Sequence, residues 1–105
     1  MPNTSEIVIN TSPLIAIVAA MGDFNVLQSL YTNVIVPFEV SQEILIGGTT
    51  GLSVTEFQAD FWLKKQSVPV NISPILLNSL DIGEASVIQL ALNKNISTVC
   101  IDEAV

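Results

Sequence analysis

The residues able to do chemistry in this chain are carboxylates and one carboxamide. It has no histidine, one cysteine at Cys100, and three cations, Lys64, Lys65 and Lys94. Without an imidazole to serve as base or metal ligand, oxygen atoms are the main chemical resource. Asn10 follows the apolar, β-branched run Ile7-Val8-Ile9, and Asp102 follows Val99-Cys100-Ile101. Each falls where a buried strand ends at its carboxyl side, the edge of an open α/β sheet that receives ligands. If the two strands are neighbours, both side chains converge on one crevice. The alternative is that Asp102 merely caps a helix that would follow it.

Glu84 closes an Asp-x-x-Glu box with Asp81, which alone would explain both as helix-capping residues. Yet Glu84, Ile88 and Ala91 share a helical face that otherwise points to the core, where a carboxylate is costly without a cation or donor. Asp81 reads as structural. Glu43 borders the apolar face marked by Val40 and Ile44, and periodicity alone makes it an ordinary solvated residue. Glu39, Glu56 and Asp60 read as exposed helix residues. Oxygen ligands without His or Cys select hard cations, Mg²⁺ or Mn²⁺. Three or four such groups around one crevice are what two-metal phosphodiester hydrolysis requires.

The elements that must position these groups alternate between strand and helix, which implies a parallel sheet with helices on both faces. Ser12-Pro13 marks a helix start, with Leu14 to Met21 apolar enough for burial on most faces. Asp23 can cap a short helix carrying Phe24, Leu27 and Leu30. Val34-Ile35-Val36 is a buried strand, and Pro37 opens the next helix. Gly47, Gly48 and Gly51 form a loop; Ser53 to Glu56 then caps a helix packed by Phe57, Phe61 and Trp62. Val68-Pro69-Val70 is at best a short strand, which its proline confines to a sheet edge. Ser73-Pro74 starts a brief helix to about Leu80, and Asp81 starts a longer one to about Lys94, with Asn95 as its stop. Ser97 to Ile101 is the last strand.

The 105 residues allow one compact domain. Charged residues are 12% of the chain, about half the usual share, so an apolar surface patch is expected, with self-association or a missing partner as its meaning. The net charge of -7 excludes a basic nucleic-acid footprint, so any phosphate chemistry must rest on bound cations. The single cysteine fits a reducing, cytoplasmic compartment. No signal peptide or transmembrane segment is expected.

With Val8-Ile9-Asn10-Thr11-Ser12-Pro13-Leu14-Ile15, Val36-Pro37 through Glu43, Leu80 through Ala91, and Ile101-Asp102-Glu103, the chain resembles PIN-domain proteins. These have a nuclease-like fold used by many toxins of bacterial toxin-antitoxin modules. The similarity is to the branch in which strand one ends in Asn or Asp before a Ser-Pro-Leu-Ile segment. It implies that Asn10, Glu43, Glu84 and Asp102 form the catalytic, metal-holding set. It also implies a three-layer α/β sheet ordered 3-2-1-4, with Val68 to Val70 as the third, edge strand and a fifth strand lying beyond Val105. Residues 1–105 would then be a single PIN-like domain lacking its last strand and helix. Asn10 stands where aspartate is usual, reducing the set to three charges.

The expected function is a metal-dependent ribonuclease, possible toxin of a toxin-antitoxin pair, using Mg²⁺ or Mn²⁺ on RNA. The competing expectation is a catalytically impaired remnant that dimerises or captures a small antitoxin-like protein. A receiver-like phosphoacceptor domain would want paired acids after strand one and a lysine after the last strand, and neither is present.

Overall fold

The computed structural model of the chain describes residues 6–46 and 54–101. Four strands form one parallel sheet in the order β3-β2-β1-β4. The central strand β1 (Glu6–Ile9) pairs with β2 (Asn33–Val36) on one side and β4 (Val99–Cys100) on the other. Ile7, Val8 and Ile9 are all at most 1% exposed. Successive strand side chains point to opposite faces, so both faces of β1 are covered, as the unbroken apolar run requires.

Helix α1 (Thr11–Met21) leaves directly from β1. It begins two residues earlier than Ser12-Pro13 suggested. Any N-H of the first helical turn lacks an intrahelical acceptor, so Pro13 costs no bond at the third helical position either. Nor is α1 buried on most faces. Only Thr11, Leu14 and Val18 are buried, while Ala16, Ala19, Ala20 and Met21 are exposed. A helix apolar all round is here covered on one side only.

Helix α2 (Asn25–Leu30) is preceded by Asp23, whose Oδ1 accepts from the Asn25 N-H at 2.9 Å. Phe24 and Leu27 enter the core, but Leu30 is exposed. Helix α3 (Phe38–Leu45) follows Pro37 and buries Val40, Ser41 and Ile44. Helix α4 (Val54–Ala59) is shorter than its aromatic spacing implied. The Asp60 carboxylate accepts from the N-H groups of Trp62 at 2.8 Å and Leu63 at 2.9 Å, turning the chain out of the helix. Phe57 is therefore the helix's core anchor, packed edge-to-face on Phe24, whereas Phe61 is 94% exposed. The glycine loop and Ser53 lie outside the described residues.

The edge strand β3 is Lys64–Lys65, not Val68 to Val70. Lys64 and Lys65 pair with Ile35 and Val36, and the Gln66 N-H donates to the Val36 carbonyl at 2.9 Å. The Lys65 ammonium lies over the Phe57 ring and donates to the carbonyls of Phe57 and Asp60, which ties β3 to α4. Val68 is exposed, Pro69 has no N-H to give, and the Val70 N-H goes to Glu39 Oε2 at 3.0 Å. Side-chain anchoring has outweighed β-propensity in choosing the paired residues.

Helix α5 (Pro74–Ser79) leads into α6 (Ile82–Lys94), and the Ser73 N-H binds Gln89 Oε1 at 3.0 Å between them. Helix α6 stops at Asn95, which takes the left-handed conformation at φ 57°. It buries Gly83, Ala85, Ser86, Val87, Leu90 and Ala91 toward β1 and α3. No helix among the described residues is long and apolar enough to cross a membrane.

Candidate functional site

Asn10 ends β1 and caps α1 by its backbone, φ −90° and ψ 176°, but its side chain makes no capping bond. Its N-H is held by the Cys100 carbonyl at 3.0 Å, fixing it beside β4. The side chain is left to do something else. Its Oδ1 is buried, with no hydrogen-bond partner among the described residues. A buried acceptor without a donor costs about 1–3 kcal/mol, so a ligand that engages this atom would be favoured.

What stands opposite is Gly83, in the first turn of α6. A Cβ at Gly83 would meet Asn10 Oδ1 and Glu43 Oε1, each at 3.1 Å, and Asp81 Oδ1 at 3.5 Å. Three oxygens from three elements therefore surround one spot. The two closest are no farther apart than twice the shorter distance. The missing side chain is what leaves the space between them.

Glu43 is held there from below by Thr11, whose buried hydroxyl donates to Glu43 Oε1 at 2.8 Å. The bond joins the start of α1 to the last turns of α3. Asp81 is the N-cap of α6, and its Oδ1 accepts from the Glu84 N-H at 2.8 Å. Both carboxylates are thus oriented by donors of the chain itself, as metal-ligating carboxylates commonly are.

The four expected site residues fare differently. Asn10 and Glu43 come together. Glu84 is half-buried in the first turn of α6, on the border of the face whose buried members are Val87, Leu90 and Ala91, and no hydrogen bond among the described residues engages its carboxylate. Asp102 lies outside the described residues. Asp81, read as a cap alone, is a cap and also a wall of the hollow. Among the described residues, no group of three or more Asp, Glu, Cys or His is placed to hold a metal ion. The described part of the hollow holds two carboxylates and a carboxamide.

Thr11 and Gly83 are site residues that sequence reasoning missed. Gly83 left a signal, since glycine inside a helical turn is about 1 kcal/mol worse than alanine and points to a close approach. Thr11 left none beyond its place after Asn10.

Beside the hollow, Phe38, Glu39, Gln42, Glu43, Ile46 and Ile82 line an open cleft of about 310 Å³. A second cleft of about 520 Å³ lies between α3, α4 and β3, near Lys65. Burial lowers the Lys65 pKa from its ordinary 10.5, and the neighbouring Asp60 charge opposes that shift.

A family model described as PIN domain matches residues 6–105. The chain belongs to the PIN-domain family. The parallel order β3-β2-β1-β4, with helices around it, is the arrangement that this membership implies. No curated protein and no solved structure is significantly similar to this PIN domain.

Proposed function

We propose that this PIN domain is a metal-dependent ribonuclease that cleaves RNA phosphodiesters with Mg²⁺ or Mn²⁺. The observation that carries the reading is the convergence of Asn10 Oδ1, Glu43 Oε1 and Asp81 Oδ1 over Gly83, with the first of these buried and without a hydrogen-bond partner among the described residues. The donors are all oxygen, which suits a hard cation. Asn10 and Glu43 would hold the ion, with Glu84 and Asp102 completing the set as the family resemblance implies.

Such a cation lowers the pKa of its bound water and steadies charge on the phosphate. The chain's own part is orientation. Thr11 holds one Glu43 oxygen, the Glu84 N-H holds one Asp81 oxygen, and the Asn10 carboxamide contributes an acceptor without adding charge. With aspartate at position 10 the set would gain a negative charge, so the native carboxamide lowers cation affinity.

A second reading is favoured by the exposed apolar side chains. Ile46 is 80% exposed, Phe61 94% and Ile75 77%. They fit a protein that dimerises or binds a small antitoxin-like partner, with catalysis weak or lost. Incubation of single-stranded RNA with Mn²⁺ separates the two readings. Cleavage that stops in EDTA and in Glu43→Gln supports the ribonuclease. Intact RNA, together with a dimer or a captured small partner, supports the second.

A further inference from the structure

We infer that the cleft beside Glu43 is a nucleobase subsite, in which the substrate is gripped through an unpaired base beside the phosphate at the hollow. The inference rests on the ribonuclease reading and adds to it what the enzyme grips.

The first argument is charge. RNA-binding surfaces usually neutralise phosphates with Lys or Arg, and the affinity so gained falls steeply with salt. This chain has three lysines, and none of them lines the cleft beside Glu43. Lys94 closes α6 at the end opposite Gly83, about 16 Å away at helical rise. Lys64 is on the edge strand β3, two strands from β1. Lys65 spends two of its donors on the carbonyls of Phe57 and Asp60. Lysine–phosphate pairs therefore contribute little to holding the substrate at the cleft.

The second argument is what the site offers instead. The cleft shares Glu43 with the hollow, and Ile82 is next in the chain to Gly83, so an RNA base adjoining the reacting phosphate would fall into it. Its walls are one aromatic ring, Phe38, two aliphatic side chains, Ile46 and Ile82, which are 80% and 61% exposed, and the carboxylates of Glu39 and Glu43, which repel phosphate but can accept from a base N-H. Gln42 adds a carboxamide able both to donate and to accept. A nucleobase has this same composition, with apolar faces and a hydrogen-bonding edge. At about 310 Å³ the cleft has room for one. A base still paired in a duplex could not present its face, so the substrate is single-stranded.

The test uses anisotropy of a fluorescein-labelled single-stranded RNA hexamer, in Ca²⁺ and over a range of KCl concentrations. Phe38→Ala should weaken binding about tenfold, the size of one lost base–aromatic stack, while Phe38→Trp should keep it. The slope of log affinity against log salt should be shallower than about −1.4, equivalent to two phosphates on a single strand. Ile82→Ser, which alters an exposed wall, should weaken binding in the same direction if the fold is intact. Mn²⁺ binding, followed by thermal shift, should be the same in Phe38→Ala as in the native chain. The subsite is overturned by hexamer affinity unchanged in Phe38→Ala, by a steeper salt slope, by equal affinity for duplex RNA, or by Phe38→Ala acting only on self-association. Hexamer binding that depends on Phe38 with no Mn²⁺ binding would sink the nuclease reading and leave the subsite standing. Mn²⁺ binding with no effect of Phe38 would do the reverse.

Discussion

Replacing Gly83 by alanine separates the stability of the fold from the chemistry of the hollow. The added Cβ would lie 3.1 Å from both Asn10 Oδ1 and Glu43 Oε1, where ordinary carbon–oxygen contact begins a few tenths of an ångström farther out. One oxygen must retreat. Glu43 is on an exposed side chain and can move, but doing so strains its 2.8 Å bond from Thr11. Asn10 is buried at 8% exposure and can move little. Against this crowding, alanine is favoured over glycine in a helix by up to about 1 kcal/mol. The two effects oppose each other in the metal-free protein, so its Tm should stay within about 8 °C of the native chain. They do not oppose each other for a cation, which loses both its space and the position of a ligand. Mn²⁺ affinity should fall at least about tenfold, the lower range for disturbing the support of a ligand. Differential scanning fluorimetry gives the first quantity and a Mn²⁺ titration the second. Unchanged Mn²⁺ affinity in a folded Gly83→Ala protein would refute the reasoning.

Thr11→Val removes the donor to Glu43 Oε1 and should cost about 1.5–3 kcal/mol in chemical denaturation, while Thr11→Ser should recover most of it. Phe57→Ala empties a site 1% exposed, loses the edge-to-face contact with Phe24 and uncovers Lys65, so a loss of about 3–5 kcal/mol is expected by the same assay. Because burial lowers the Lys65 pKa, the unfolded chain binds the extra proton between the folded value and 10.5. The Lys65 contribution to stability should therefore rise as pH rises through that window, and Lys65→Met should flatten the pH dependence of Tm there.

Much of the architecture was legible because burial leaves a plain signature. Ile7 to Ile9 and Val34 to Val36 read as strands covered on both faces, and the Asp81 cap and Asn95 stop bracket α6 as expected. The misreadings have a common cause in side-chain anchoring between distant residues. Lys64-Lys65 is a poor strand by composition, yet it pairs because Lys65 is tied to α4, a bond invisible to periodicity. Helix α4 ends early because the Asp60 carboxylate accepts from the amides of Trp62 and Leu63, a local competition that the spacing of Phe57, Phe61 and Trp62 conceals. At the site, Asn10 was expected from its place after β1. Glu43 was not distinguishable by periodicity, since what sets it apart is a hydrogen bond to Thr11, 32 residues earlier. Gly83 could have been found from its cost in a helix, but what it makes room for is visible only with α1, α3 and α6 together.

Isothermal titration of Mn²⁺ into the native chain and Asn10→Asp tests the central claim most directly. Asparagine supplies one neutral oxygen to the hollow, so the aspartate variant should bind Mn²⁺ more tightly, and Glu43→Gln should bind it more weakly than either. Absence of Mn²⁺ binding in both the native and the aspartate forms would contradict the account.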